Sequence, residues 1–477
     1  MRATRGSIRG VLRPIALAAG LALSAPHALA DGIDLSLGGF VQLDHYGLVA
    51  EERLYTNERI RLTAAAQVEA VNATGDLAAF AELHAFAQIG EHVAVPETAV
   101  ERRIGEVTVI DPEFIVRQAY VTLCTDAFDV DVGQKFVHWG KIDLLSPLDV
   151  VNHTNTATLG LGDAFESPLA DPMVHVTAYL DDALSLELVY VPFLAPDLIG
   201  IAELDFDLTF INYDIDARFE NPRVALFSEW AHSVHAALSY TSFDVDAQVT
   251  YSFFRDQTPD FDLSGVRETR RTVDGETHYV IRGVVVPGYN RAHNFGVGAS
   301  AALAGFVLSA DAGLKLTENA DGTRIDVKRP EILYAVQADR AVSIGQQPFN
   351  VSAGLYHRLI LHPDAEFRSE YSPLVENVVA ALRDFYMLQE DPSTVYVVAR
   401  ADTSLFRETL SVGVIGAWGI TEQALHLAPR AGLRLSDHVS AAAGANLWFE
   451  WSPGVASGLL GRDDVKDNVF AQLVVRY

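Results

Sequence analysis

The sequence predicts an all-β fold in which antiparallel strands close into one transmembrane barrel, and three observations lead to this prediction. Short runs alternate apolar and polar residues, tight turns alternate with long polar connections, and the last run ends the chain on an aromatic residue. A strand with lipid on one side and water on the other must alternate in this way. Counting the runs gives about 18 strands, with about 16 as the next best count.

The last strand separates its apolar residues from its polar residues. One face holds Val469, Ala471, Leu473, Val475 and Tyr477, and the other holds Asn468, Gln472 and Arg476. A final strand of this kind is typical of a barrel in the bacterial outer membrane, with outer-membrane lipid against its apolar face. We therefore expect segment 468–477 to be the part that the barrel assembly machinery recognises.

The N-terminus reads as a secretory signal. Its four arginines form a basic region, Ile15 to Leu23 form an apolar region, and Ala28-Leu29-Ala30 form a small-residue cleavage site. The prediction is a signal peptide over residues 1–30, then a single barrel domain over 31–477, exported to the outer membrane of a Gram-negative cell. No later stretch has the roughly 18 apolar residues that a membrane helix needs.

The connections supply the topology. Turn-forming residues mark six tight connections, at Thr74-Gly75-Asp76, Thr125-Asp126-Ala127, Asp181-Asp182, Ser242-Phe243, Ala304-Gly305 and Ser436-Asp437. The long connections are 91–112, 139–171, 195–231, 256–289, 362–393 and 452–465. Short turns on the periplasmic side and long loops outside are typical of such barrels.

Charge and motifs narrow the function classes. The formal net charge of −28 falls to about −32 once the four arginines of the signal are removed, which argues against nucleic acid as a partner. The single cysteine, Cys124, excludes an internal disulfide. No hydrolase, metalloprotease, phosphate-loop or dinucleotide motif is present, so we expect no enzyme activity and no cofactor.

One long connection has helical periodicity. Ser372 and Pro373 suit the start of a helix, and apolar residues recur at helical spacing up to about Gln389. We expect a loop helix near 373–389. It would either pack the loop together or contact solutes at the barrel mouth, and the sequence leaves both open.

The segment from Val132 to Asn152 has the most chemical character. A strand with Asp129, Asp131, Gly133 and Lys135 on its inner face runs into Trp139-Gly140, where glycine permits a sharp change of direction. Asp149 and Asn152 follow in a loop, where they can bond nearby backbone amides and fix its shape.

A resemblance rests on this segment. Gly133-Gln134, Trp139-Gly140 and Asp149-Val150-Val151-Asn152 resemble, in order, the signature of a family of proteobacterial outer-membrane barrels of unknown function. The likeness extends to Arg117-Gln118-Ala119-Tyr120 before it and to Pro172-Met173 and 186–192 after it, although His153 stands where the family tends to have proline. The resemblance implies a porin-like barrel, sometimes linked to uptake or export of hydrophobic or bulky compounds, with no agreed catalytic residues.

Alternation also predicts which charges face the lumen. The expected basic wall is Arg59, Arg61, Arg117, Lys135, Arg430, Arg434 and Arg476. The expected constriction loop lies within 139–171 and is folded toward the lumen, with Trp139, Gly140, Asp143, Asp149, Asn152, Asp163, Glu166 and Asp171. Opposed charges would screen solutes by sign, or would form salt bridges that hold the interior together, and both interpretations stay open.

The predicted function is a porin-like outer-membrane channel for passive diffusion or substrate-specific uptake of small or amphipathic solutes. The alternative is a loop-plugged barrel that serves a transport system for hydrophobic compounds, or a structural surface protein. A homo-oligomer or a periplasmic transport partner is compatible with either. Recurring Asp-x-Asp pairs such as Asp129 and Asp131 could hold calcium, although they lack a dedicated ligand set.

Overall fold

The structure is a computed structural model, and not all of the chain is described. The described residues are 33–50, 53–90, 101–104, 107–142, 146–154, 168–197, 213–219, 232–262, 267–273, 276–368, 389, 391–451 and 467–477. The predicted signal peptide (1–30) lies outside them, and so does the predicted loop helix near 373–389 apart from Gln389. No helix among the described residues is long and apolar enough to cross a membrane.

The described residues form 23 strands. In chain order they are β1 (Ile33–Ala50), β2 (Arg53–Asn72), β3 (Leu77–Gly90), β4 (Glu101–Ile104), β5 (Val107–Cys124), β6 (Phe128–Lys135), β7 (Asp171–Tyr179), β8 (Leu184–Val191), β9 (Tyr213–Phe219), β10 (Ser233–Thr241), β11 (Val245–Arg255), β12 (Asp260–Asp262), β13 (Arg267–Val273), β14 (Glu276–Gly288), β15 (Arg291–Leu303), β16 (Phe306–Thr317), β17 (Glu331–Ile344), β18 (Gln347–Ile360), β19 (Ser393–Leu405), β20 (Leu410–Gly419), β21 (Ala424–Arg434), β22 (Val439–Glu450) and β23 (Asn468–Arg476).

Eighteen of these strands close into one antiparallel ring. Each pairs with its neighbours in chain order, and β23 returns to β1 with Leu473 opposite Leu43. The ring leaves out β4, which pairs with β5, and a small sheet in which β12, β13 and β9 pair with β14. The prediction of a closed barrel with about 18 strands is confirmed.

Side-chain alternation gives the ring an apolar outer face and a polar inner face. On β1, Leu37 and Leu43 point outward and are 39% and 44% exposed, whereas Asp44 and Tyr46 point inward and are buried. Because neighbouring strands are paired in register, the same alternation continues around the ring, as with outward Val249, which is 57% exposed. An outer face of this kind can lie against lipid, while the inner face holds the polar groups.

The two ends of the ring differ as the sequence predicts. All six predicted tight connections lie at the end that also holds Ile33 and Arg476, and two further turns there follow β17 and β19. At Ala304 and Gly305 both residues have positive φ, as a two-residue hairpin requires. The other end holds the long connections. Three of them contain strands that the sequence did not predict, namely β4 within 91–112, β9 within 195–231 and β12 to β14 within 256–289.

Candidate functional site

The candidate site is the barrel interior, and its main feature is the described part of the segment between β6 and β7, residues 136–142, 146–154 and 168–170, called the inner loop below. It leaves β6 and turns at Gly140, whose φ is +114°. Trp139 is 1% exposed, and its Nε1 donates to Glu187 Oε2 of β8 at 3.1 Å. Its ring centroid lies 6.1 Å from that of His235, an inward residue of β10. The inner loop therefore contacts the inside of the ring.

Asp311 of β16 anchors the far part of the inner loop. Its carboxylate accepts hydrogen bonds from the backbone N–H of Lys141 at 2.8 Å, from that of Ile142 at 3.1 Å, and from the Ser146 hydroxyl at 2.8 Å. On the way, the N–H of Gly140 donates to Gln248 Oε1 of β11 at 3.0 Å. The inner loop thus reaches from β6 to β16, which is the sixth strand after β6 in the ring.

Glycines on the wall make room for this crossing. Leu148 is fully buried and lies against Gly296 and Gly298, two inward positions of β15. A Cβ on Gly296 would overlap Leu148 Cδ2 and Thr250 Oγ1, and one on Gly298 would come 3.2 Å from Leu148 Cδ1. Because Gly296 and Gly298 have no side chains, they leave the space that Leu148 occupies, and this space is called the glycine seat below.

Apolar packing holds the inner loop to the same wall. The buried residues in contact come from the inner loop, β7, β8 and β10, and they are Val137, Trp139, Leu148, Val151, Met173, Val189, Val191 and Ala237. Burial of apolar surface and a set of hydrogen bonds thus act together, so the inner loop is attached rather than loosely placed.

Asn152 and Asp171 close the base of the inner loop. Asn152 Oδ1 accepts from Val137 N at 2.7 Å, and its Nδ2 donates to Lys135 O at 3.1 Å. Asp171 accepts from His153 N at 3.0 Å. The carboxylate of Asp149 lies 2.7 Å from His138 Nδ1. Asn152 bonds backbone as its prediction states, whereas the contact found for Asp149 is with a side chain.

A chain of polar contacts links β6, β7 and β8 beside the inner loop. Lys135 is paired with Asp131, and His175 lies between two carboxylates, 3.2 Å from Asp131 and 3.2 Å from Glu187. Glu187 is also the acceptor for Trp139. The register of β6 places Lys135 on the inner face, and its charge is paired with Asp131 on the wall that the inner loop covers.

Buried ion pairs join several connections at the long-loop end. Asp256, which follows β11, lies 2.6 Å from Lys315 and 3.1 Å from Lys328. Burial alone would raise the pKa of Asp256, but these two lysines lower it to about 2. Asp260 accepts from Lys328 N at 2.9 Å, and burial raises its pKa. Lys315 also faces Glu331 at 3.7 Å.

This ion-pair cluster is tied to the inner loop by hydrogen bonds. The Thr154 N–H and hydroxyl both donate to Asp197 Oδ1, at 2.7 and 2.9 Å. The other oxygen of Asp197 accepts from Thr258 at 2.7 Å, and Gln257 donates to Val151 O at 3.3 Å. Three connections at this end therefore form one hydrogen-bonded unit with the inner loop.

The predicted basic residues fall into two groups. Arg61, Arg430, Arg434 and Arg476 are inward by register and stand on β2, β21 and β23, which face the wall under the inner loop. Arg430 is exposed, and Arg434 is 53% exposed and contacts Glu408 at 3.4 Å. Arg59 has an inward register opposite Tyr46, and its side chain lies outside the description.

The remaining predicted residues are not gathered in the same place. Arg117 sits at a bulge between Val116 and Gln118, with its guanidinium 4.6 Å from the ring centroid of Phe136. Asp143, Asp163 and Glu166 lie outside the described residues. An acidic surface on the inner loop opposite the arginines therefore stays a prediction.

Asp311, Gln248 and the glycine seat were not singled out from the sequence. Asp311 bonds residues about 170 positions away, which local patterns do not reveal. The alternate glycines Gly296 and Gly298 were the available signal, because glycine inside a strand often marks the close approach of another backbone. Among the described residues, no group of three or more His, Cys, Asp or Glu could hold a metal ion.

Comparisons with known proteins give similar solved structures but no sequence match. No protein-family model matches the chain, and no curated protein matches it. Similar solved structures include Pseudomonas aeruginosa OccK5 (OpdH), with 9% identity, coverage of 93% of this chain and 97% of that chain, and a TM-score of 0.46. The outer membrane channel DcaP of Acinetobacter baumannii has 10% identity, coverage of 95% and 100%, and a TM-score of 0.43. Salmonella typhi OmpF in complex with daunomycin has 12% identity, coverage of 94% and 99%, and a TM-score of 0.43. At these values the likeness says nothing about function, and the family resemblance seen in the motif stays a prediction.

Proposed function

We propose that this protein is an outer-membrane channel through which small solutes diffuse, with selectivity set between the inner loop and the arginines of β2, β21 and β23. The observation that carries the proposal is solvent exposure inside a closed ring. Arg400 is inward by register and its side chain is 50% exposed, and Arg430 and Glu69 are also inward and exposed. Inward charges that remain exposed need a water-filled interior, and a ring of 18 strands is wide enough for one.

The asymmetry of the interior supports a role for charge. On the covered wall, Lys135 and Lys315 are paired with carboxylates, so they contribute little field to the open space. On the opposite wall, Arg430 is exposed, and Arg434 is 53% exposed while it contacts Glu408 at 3.4 Å. Positive groups along one side of a narrow aqueous path attract anions and raise their local concentration.

Ion selectivity tests this proposal. In a planar bilayer with a salt gradient, the reversal potential of the wild type should indicate a preference for anions, and Arg430→Glu/Arg434→Glu should move it toward cations. The matched control is Arg324→Glu/Arg368→Glu, which changes the net charge equally on connections outside the ring, where Arg368 is 79% exposed. Equal shifts of the reversal potential in both double variants would refute the proposal that the arginines of this wall set the selectivity.

A plugged barrel is the second candidate, and one observation favours it. The inner loop and its hydrogen-bonded neighbours form a single unit at the long-loop end, from Thr154 through Asp197 to Thr258. If that unit closes the interior, the folded protein inserted in a bilayer should carry no steady current. Its role would then be as a component of a transport system or as a surface structure.

A further inference from the structure

The part of the wall that runs from β21 through β1 to β5 carries inward aromatic rings, with arginines beside several of them. Near the long-loop end, Trp448 of β22 stacks on His426 of β21, with ring centroids 4.4 Å apart and an interplanar angle of 20°. Both are inward by register, and Trp448 is only half-buried. His426 is held by Asn446, whose Oδ1 lies 3.2 Å from its Nε2. The pair therefore presents a fixed aromatic surface toward the interior.

The second pair lies lower on the same wall. Phe470 of β23 and Tyr46 of β1 have ring centroids 6.3 Å apart. The ring of Phe470 covers Gly444, because a Cβ there would come 2.6 Å from Phe470 Cζ. Gly444 is in turn the register partner of Arg430. Arginine, glycine and the two rings thus form one row across four strands.

Two further pairs continue toward the short-turn end. Phe40 of β1 and His84 of β3 have ring centroids 5.7 Å apart, across the small side chain of Ala65. The register partner of Phe40 on its other side is Arg476.

The last pair, Phe80 of β3 and Tyr120 of β5, has ring centroids 5.5 Å apart. The Nζ of Lys135 lies 5.0 Å from the centroid of Tyr120. These four pairs are called the ring stripe below.

The ring stripe connects the two ends of the barrel. Trp448 lies two residues before the end of β22 at the long-loop end, and Phe80 lies three residues after the start of β3 at the short-turn end. Phe40, Phe80 and Trp448 are half-buried, whereas Phe254, which lies on the wall covered by the inner loop, is 4% exposed. The stripe therefore leaves aromatic surface facing the interior at Phe40, Phe80 and Trp448. Arg430 and Arg476 stand beside it, whereas the register partner of Phe80 is Glu69, and Lys135 is paired with Asp131.

We propose that the ring stripe binds aromatic anions during their passage, and this inference rests on the proposed channel function. A flat aromatic solute can stack on an exposed ring, while its carboxylate accepts hydrogen bonds from a neighbouring guanidinium such as that of Arg430. An aliphatic anion lacks the stacking, and an aromatic cation is repelled by the arginines. A preference for aromatic anions therefore depends on both the aromatic ring and the carboxylate of the solute.

Inhibition of the ion current by added solutes tests the inference. Benzoate should reduce single-channel current at concentrations roughly three- to tenfold lower than cyclohexanecarboxylate, acetate or benzylamine. Trp448→Leu and Phe470→Leu should each weaken inhibition by benzoate by about the same factor and leave that by acetate unchanged. The matched control is Phe449→Leu, since Phe449 neighbours Trp448 in sequence and points outward.

The outcomes separate the inference from the function on which it rests. In one outcome the channel conducts while benzoate and cyclohexanecarboxylate inhibit it equally, and in another it conducts while the ring variants behave as the wild type. Either result overturns the proposal that the ring stripe binds aromatic anions and leaves the channel proposal intact. Folded protein that carries no current overturns the channel proposal instead. If a variant does not fold, as judged by unchanged gel migration on heating, Phe40→Leu provides the same test at another position of the stripe.

Discussion

Removal of the Asp311 carboxylate should release the far part of the inner loop from the wall. In Asp311→Ala, three donors lose their acceptor, namely the N–H groups of Lys141 and Ile142 and the hydroxyl of Ser146. Asp311 is 2% exposed, so water does not replace the acceptor as long as the inner loop stays seated.

The size of the effect follows from these contacts. A hydrogen bond to a charged group contributes about 1.5–3 kcal/mol, and the three bonds share one carboxylate, so we expect a loss of about 3–6 kcal/mol of attachment. Each 1.4 kcal/mol changes an equilibrium about tenfold, so the detached population should rise by about two to four orders of magnitude. Trp139 and Leu148 still hold the near part of the inner loop.

Two assays report on the detachment. Single-channel recordings of Asp311→Ala should show larger current fluctuations than the wild type, and proteinase K should cleave within 136–170 sooner. Asp339→Ala is the matched control, because Asp339 is an inward carboxylate on β17 whose hydrogen-bond donor among the described residues is Gln337. Wild-type noise and wild-type protease resistance in Asp311→Ala would refute the anchoring role.

Three further predictions concern the same interior. Gly296→Val should displace Leu148 from its seat and accelerate cleavage by proteinase K in the same way, and cleavage at the wild-type rate would contradict the seat. Asn152→Ala should lower the stability of the inner loop's base by about 1–3 kcal/mol, since a buried N–H loses its acceptor, and an unchanged midpoint of urea-dependent proteolysis would show otherwise. Because the pKa of Asp256 is lowered to about 2, its stabilising contribution is present above about pH 4 and is lost as the pH falls toward 2, by on the order of 2 kcal/mol. An acid titration of protease resistance should show this loss in the wild type and not in Asp256→Asn, and identical curves would exclude the ion pairs as its source.

Much of the barrel could be predicted because its determinants are local. Side-chain alternation along each strand, as in Leu473 against Gln472, follows directly from the sequence, and the lipid and water faces depend on nothing else. Turn residues such as Thr74-Gly75-Asp76 mark the short end in the same way. These signals suffice for a closed antiparallel barrel, for a count of about 18 strands and for the direction of many side chains.

The seating of the inner loop could not be predicted because its determinants are distant in the sequence. Trp139-Gly140 indicates a change of direction, but the acceptors that receive the chain, Gln248 and Asp311, stand about 110 and 170 residues further on. The strands β9 and β12 to β14 were not predicted, and a segment read alone does not show that β9 pairs with β14. The sequence likewise identifies inward basic residues without telling which of them, such as Lys135, are already paired.

Single-channel conductance of the refolded wild-type protein tests the central claim most directly. The account predicts stable current steps in a planar bilayer, since exposed inward charges such as Arg430 need a continuous water-filled interior. The protein used must first be shown to be folded, by faster gel migration without heating than after boiling. Inserted, folded protein that gives no steps at any applied voltage would contradict an open channel.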